Sequence, residues 1–333
     1  MTGMRLLTQT GLVLGLVLLI GLLIWQGFTN VLQLLLESGW YLLLLPLAWF
    51  PVLLPATQGW RQLFPAGHAP TFSHGVLALW MGRAVNNLLP VASIGGEVVK
   101  ARLLVIWGTG AAPAAASVMV DKVAQALALA CWALVGVLLL TFLPGNNELA
   151  AYTLGGIALL LVGVVGLVVI QRLGMLGALA QLAGKLVRHE AWEGVKFSAT
   201  EADRLVRELY GKKRKLLLAT LYRLASLALH TFELWLACHL LGQPVGVPEA
   251  LLLRSLTAAL SDLAFIIPNA YGVQEGAFIL IGALVGFDPD FALALSLALR
   301  IRDLVFDPAG LLTLQQVESR RYFKRRRAGR LGD

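Results

Sequence analysis

Charge is scarce in this chain. Only 14% of its 333 residues are Asp, Glu, Lys or Arg, and 58% are apolar. A soluble domain carries about 25% charged and about 45–50% apolar residues. The shortage excludes an ordinary soluble enzyme, a disordered segment and a nucleic-acid-binding domain. The sequence pI of about 9.8 does not restore the last of these, because so few cations on so apolar a chain make no phosphate-tracking face. Cysteine is scarcer still. Cys131 and Cys238 both lie in apolar runs and read as small hydrophobes, silent on redox compartment. No Cys/His cluster has metal spacing, and no P-loop or nucleophile-elbow pattern occurs. Neither a metal nor another cofactor is expected.

What the chain has is apolar length. A hydrocarbon core about 30 Å thick needs about 20 apolar residues per crossing. Hydropathy places full spans at 11–28, 39–56, 111–142, 149–172, 216–241 and 289–317. Arg5 ahead of the first run suits a secretory signal or a retained helix; the lack of a small-residue cleavage site and the spans that follow favour the helix. Two further regions, 73–107 and 250–285, each split into two apolar limbs around a polar turn. Between the halves lies a polar interlude, 175–215. Its apolar residues Leu176, Leu179, Leu182, Leu186, Val187, Leu205, Val206 and Leu209 suggest an amphipathic helix lying on a leaflet.

The positive-inside rule sets the orientation. Ten Lys/Arg lie between 172 and 215 and seven between 320 and 330, so both segments are expected on the cytoplasmic side. The loops 144–148, 242–249 and 286–290 carry acids and no Lys/Arg, and face the other side. The spans between these loops then force 73–107 to start and end inside, and 250–285 to start and end outside. Both read as re-entrant hairpins, the first opening inward and the second outward.

The two hairpins match in sequence. Leu88-Leu89-Pro90 precedes Glu97 and Ile266-Ile267-Pro268 precedes Glu275, with six residues between each Pro and Glu. A cation follows each Glu by 25 residues, at Lys122 and Arg300. Two copies of hairpin plus span in opposite orientations make an inverted-topology repeat, the plan of many carriers. Pro90 and Pro268 each end a helix. Gly95, Gly96 and Gly272 permit a tight turn and close packing. The next helix then begins at membrane depth with free N–H groups. Glu97 and Glu275, near those starts, are read both as helix caps and as lining of a polar cavity.

Four helices carry polar stripes at helical spacing. They are Ser117, Asp121 and Gln125 with Lys122; Ser296, Arg300, Asp303 and Asp307; Arg223, Ser226, His230 and Glu233; and Arg254, Ser261 and Asp262. Intramembrane charge costs from about 2.5 kcal/mol upward, so it faces the protein interior. A static ion-pair network is the competing reading, and Arg223 and Arg254 are also placed to snorkel to an interface. Trp25, Trp40, Trp49, Trp60 and Tyr322, near span ends, suggest an interfacial belt. Gly11 and Gly15 form a GxxxG pattern, read as helix packing.

Asn87-Leu88-Leu89-Pro90, Gly95-Gly96-Glu97, and Pro268 followed by Gly272-Val273-Gln274-Glu275-Gly276 resemble the flippase-like family named for the membrane region of lysylphosphatidylglycerol synthases. Leu295-Ser296-Leu297 with Arg300, Arg302, Asp303 and Leu304 is similar to that family's last helix. Within the family the likeness is greatest to membrane proteins associated with hopanoid biosynthesis. The resemblance covers nearly the whole chain and implies a lipid translocator. Two features depart from the pattern: Lys122 stands where Arg is expected, and Asn269 and Tyr271 stand in a turn often richer in Gly. A soluble aminoacyl-transferase domain is not present in the sequence, so lipid aminoacylation is not expected.

The expectation is therefore an all-α polytopic membrane protein, one domain over 1–333, with about six full transmembrane helices and two re-entrant hairpins in an inverted repeat. Its first half is 1–172 with the inward hairpin 73–107. The cytoplasmic linker is 173–215, the second half 216–317 with the outward hairpin 250–285, and the basic tail 318–333. A bacterial cytoplasmic-membrane location with both termini inside is expected. The expected function is to move a lipid, of hopanoid, phospholipid or glycolipid type, between leaflets through a midplane polar cavity between the two hairpins, without catalysis. A lipid-modifying membrane enzyme and a scaffold of a lipid-biosynthesis complex are the alternatives. The expected cavity residues are Glu97, Glu275, Asp121, Lys122, Arg300, Arg302, Asp303, Asp262 and His230. The hairpin turns are Asn87, Pro90, Gly95, Gly96, Pro268, Asn269 and Gly272. Membrane lipids are the expected partners, with anionic headgroups at the basic linker and tail; homo-oligomerisation is left open, and no nucleic acid is expected.

Overall fold

Inside a bilayer every backbone N–H and C=O must find a partner within the protein, and apolar sequences satisfy this as helices. The computed structural model describes residues 28–89, 95–141, 147–174, 191–264 and 267–330, and all regular structure among them is helical. The expected first span up to residue 27 with its GxxxG pattern, Pro90, and residues 175–190 of the linker lie outside the described residues.

Helix α1 (Phe28–Ser38) leads through 3-10 turns at Gly39–Leu43 and Phe50–Val52 into α2 (Leu44–Trp49) and α3 (Leu53–Gln62). The path is uneven because Pro46, Pro51 and Pro55 each remove an N–H donor. The first hairpin is α4 (Phe72–Leu88) and α5 (Gly95–Ile106), followed by the long α6 (Ala111–Leu140). Helix α7 (Asn147–Arg172) and the polar α8 (Ala191–Gly211) come next, then α9 (Lys213–Leu240). The second hairpin is α10 (Val247–Leu263), a 3-10 turn at Pro268–Ala270 and α11 (Val273–Gly282). Helix α12 (Pro289–Arg330) completes the chain and carries Pro308 inside it. It is longer than the expected span 289–317, because the basic tail continues the same helix.

Each hairpin packs on the long helix that follows it, and each long helix also packs on the first limb of the other hairpin. Thus α4 meets α5 and α12, while α10 meets α11 and α6. Among the described residues, two stretches are long and apolar enough to cross a membrane, Leu35–Gln62 and Ala111–Leu140. Helix α9 has the length, 28 residues, but carries Arg223 and Glu233 in its interior. The protein surface is apolar too: Leu138, Val162 and Leu304 are each more than 60% exposed. Side chains of that size stand bare on a soluble protein only singly.

Two corrections concern what covers an apolar face. Trp49 and Trp60 do not form an interfacial belt. They are buried in a cluster with Phe64, Met81 and Leu103, whereas Trp40 is exposed as expected. Trp25 and the side chain of Tyr322 lie outside the described residues. On α8, Ala202, Leu205, Val206 and Leu209 are buried against α6 and α7, so protein rather than a leaflet covers that stripe.

The hairpin turns differ in their local devices. Leu89 is extended (φ −111°, ψ 142°), as the residue before a proline must be to avoid the ring. Gly96 works by close approach: a Cβ there would lie 2.0 Å from the Gly82 carbonyl oxygen on α4. Gly272 works by conformation, with φ +76° at the start of α11. Asn269 (φ 50°) and Ala270 (φ 47°) also lie in the left-handed region. Asn tolerates it; Ala does not, at a cost of about 1–2 kcal/mol. Ala270→Gly is therefore expected to raise stability by about 0.5–1 kcal/mol, read as a higher melting temperature of the detergent-solubilised protein.

Candidate functional site

The polar stripes meet between two apolar clusters. One holds Leu140, Leu234, Phe278 and Phe291; the other holds Trp49, Trp60, Met81 and Leu103. A cavity of about 300 Å³ lies here, lined from the α2–α3 path, α4, α5, α6 and α9. Lys122 and Gln125 are eleven and fourteen residues into the 30-residue α6, about 17–21 Å along a helix of about 45 Å. Arg223 and His230 on α9 lie at comparable depth. The cavity is thus near the middle of the long helices.

Charges around it are paired. Glu97, in the first turn of α5, pairs with Lys100 on its own helix and with Lys122 on α6 (2.7 Å). Asp121 accepts from both Nε (3.2 Å) and Nη2 (2.7 and 2.5 Å) of Arg223 and from Gln125 (2.7 Å). The ammonium of Lys100 lies over the Trp60 ring at 5.5 Å. Buried tryptophan faces therefore sit beneath cations, where the ring quadrupole attracts them. Trp49 does the same for Arg83 at 4.3 Å.

A second group surrounds the end of α4. Arg83 donates to Asp303 (2.5 Å) and Asp307 (2.8 Å), and Asn87 donates to Asp307 (2.8 Å). Arg302 pairs with Glu233 and with Asp303 (3.1 Å). His230 Nδ1 lies 3.2 Å from an Arg254 nitrogen and 3.4 Å from Glu233. Neither Arg223 nor Arg254 snorkels to an interface; both turn inward to these partners.

The third group is closed. Glu275 accepts from the Gly272 N–H (2.7 Å), capping α11, and from Arg300 Nε (2.5 Å). Arg300 also donates to the Asn269 carbonyl (3.2 Å) and covers the Tyr271 ring at 4.5 Å. Ser296 donates to Glu275 at 3.4 Å. The cap reading and the ion-pair reading of Glu275 are both true of the same side chain.

The 25-residue spacing thus closes an ion pair in both halves, Glu97 with Lys122 and Glu275 with Arg300. The halves differ in access. Glu97, Lys122 and His230 line the cavity together with Asn87, whereas Glu275, Arg300, Arg302 and Asp303 do not. The second hairpin reaches the wall only indirectly, through Asn269 donating to Asp303 (3.2 Å), which holds Arg83. Asp262 is exposed and does not line the cavity, but lies within electrostatic reach of Arg254 and Lys122. Ser117 and Ser261 bond to carbonyls of their own helices.

Sequence reasoning missed Arg83, Lys100 and Asn86. Their signal was present: Arg83 and Lys100 are cations inside apolar hairpin limbs, and intramembrane cations mark an interior site. The set holds no group of three His, Cys, Asp or Glu able to hold a metal among the described residues.

With helices as the regular structure of its described residues, an apolar outside and charges near the middle of its long helices, the molecule is an integral membrane protein. The lysylphosphatidylglycerol synthase TM region family matches residues 12–307, and the chain belongs to that family. It is therefore tied to lipid metabolism or transport. No curated protein and no solved structure matches it.

Proposed function

We propose that the chain is a lipid translocator of the bacterial cytoplasmic membrane, not an enzyme. A lipid headgroup enters the mid-depth cavity while its tails stay in the bilayer. Six full spans and two re-entrant hairpins in an inverted repeat provide the frame, with the basic segments 172–215 and 320–330 and both termini on the cytoplasmic side. The observation that carries this reading is the cavity itself, lined by Arg83, Glu97, Lys100, Lys122 and Arg223. Ionisable residues at that depth are costly and belong to a pathway. The reciprocal packing of α4 on α12 and α10 on α6 supports the repeat.

Reconstitution tests the proposal. Vesicles carrying tail-labelled fluorescent lipids are expected to lose label protection from an external quencher in a protein-dependent way. Phospholipid, glycolipid and hopanoid probes are run in parallel. Unchanged leaflet accessibility for all three would overturn the reading, as would a new lipid product in mass spectra.

A further inference from the structure

We infer that His230 is a proton-binding site that couples movement of the second hairpin to the proton. This deepens the translocator reading and rests on it for what the movement serves. One ring nitrogen stands between a donor and an acceptor. His230 Nδ1 lies 3.2 Å from Arg254 Nη2 and 3.4 Å from Glu233 Oε2. Arginine only donates, so Nδ1 accepts from Arg254, and the neutral ring then carries its proton on Nε2. A carboxylate only accepts, so Nδ1 engages Glu233 only when it bears a proton itself. The two bonds exclude each other, and one proton chooses between them.

Both outcomes are prepared. The second oxygen of Glu233, Oε1, is buried and has no hydrogen-bond partner, although the side chain is 1% exposed. Arg254 Nε is likewise buried without a partner. The charged groups facing the ring are Arg83 from α4, Glu233 on its own helix, Arg254 from α10, and Arg302 with Asp303 from α12. Lys122 of α6 and Arg223 of α9 stand further along the cavity wall, and the α2–α3 path presents apolar Trp49, Val52 and Leu53. Arg83 is held by Asp303 and Asp307, and Arg302 by Glu233 and Asp303. Arg254 differs: its hydrogen-bond partner is a neutral imidazole. A proton on that imidazole turns the bond into a meeting of two cations, and a second cation this close disfavours contact. His230 is 16% exposed and lines the cavity. Its proton therefore comes from cavity water: an O–H bond of hydronium breaks, the Nδ1–H bond forms, and release reverses both. Arg254 belongs to the first limb of the second hairpin, which packs on α9. Loss of its bond frees that limb, with Asp262 on the same limb within electrostatic reach of the released guanidinium. A proton entering on the first hairpin's side thus acts on the second.

The test uses the whole chain in detergent, with ring-labelled histidine for NMR and hydrogen exchange of α10 read by mass spectrometry. The ring signal that disappears in His230→Gln is expected to move between about pH 5 and about pH 8, the range in which histidine changes charge. Over the same range α10 exchange, corrected for the intrinsic rate, should be about tenfold faster at the lower pH. His230→Gln should abolish that pH response. Arg254→Gln should leave α10 fast at both pH values while the ring signal still moves. A ring signal that does not move, or α10 exchange indifferent to pH in the parent, overturns the inference; the second result needs no variant. Vesicles separate this claim from translocation. With a pH gradient of about two units imposed, lipid crossing should differ several-fold from that at equal pH, because the protonated share of a histidine changes steeply there. Crossing that is indifferent to the gradient overturns the coupling. No crossing in any condition overturns the translocator reading, and the ring and exchange results still decide the proton site.

Discussion

Arg223→Met is expected to destabilise the protein by about 3–5 kcal/mol, because it strands a charge with no route to water. Asp121 is fully buried and takes three of its hydrogen bonds from Arg223. Lys100 at 3.8 Å and Gln125 at 2.7 Å remain, but neither offers a two-nitrogen grip on the carboxylate. The double change Asp121→Leu with Arg223→Met should recover much of the loss, since a buried ion pair is often replaceable by apolar residues of similar size. It should not recover function, because the wall then loses one of its four cations. Chemical or thermal unfolding in detergent measures the first effect and the vesicle assay the second. A single Arg223→Met protein as stable as the parent would show that the pair is not what holds Asp121.

Gly96→Ala should have an effect of similar size for a different reason. The new Cβ would lie 2.0 Å from the Gly82 carbonyl oxygen and 2.6 Å from the Asn86 side chain. The first of these atoms is backbone and does not swing away. The two limbs of the first hairpin must therefore separate, breaking the Gly96 N–H bond to Asn86. Overpacking commonly costs about 1–3 kcal/mol, and a backbone clash sits at or above the top of that range. The same change at Gly276, where a Cβ meets nothing within 4 Å, should be nearly silent. Melting temperatures of the two variants, side by side, check the contrast.

These two positions mark what was legible. The pairing of Glu97 with Lys122 and of Glu275 with Arg300 follows from a spacing visible in the chain, because both halves place a carboxylate at a helix start and a cation eleven residues into the next helix. Helical type was equally readable, since long apolar runs admit little else in a bilayer. Burial was not. A stripe of apolar residues reports that something other than water covers it, and lipid and protein serve equally well. Trp49 and Trp60 therefore look interfacial in the sequence, and the stripe of α8 looks membrane-bound. Tertiary contacts with α4, α6, α7 and α9 decide otherwise. The unequal access of the two hairpins was also hidden. Symmetric motifs suggested a cavity between them, but the wall is built by the first, and the second reaches it through Asn269 and Asp303. Repeat sequences carry the shared plan and not the side on which the cavity stands.

Photocapture at the cavity wall tests the central claim most directly. A diazirine-bearing side chain replaces Gln125, which lines the cavity, or Leu138, which is 62% exposed on the outside of α6. After irradiation in membranes, lipid adducts are identified by mass spectrometry. The Leu138 site should capture acyl chains in the proportions of the bulk membrane. The Gln125 site should capture headgroups, in proportions that differ from that bulk composition. No lipid adduct at Gln125, or the same lipid composition at both sites, would contradict a headgroup pathway through this cavity.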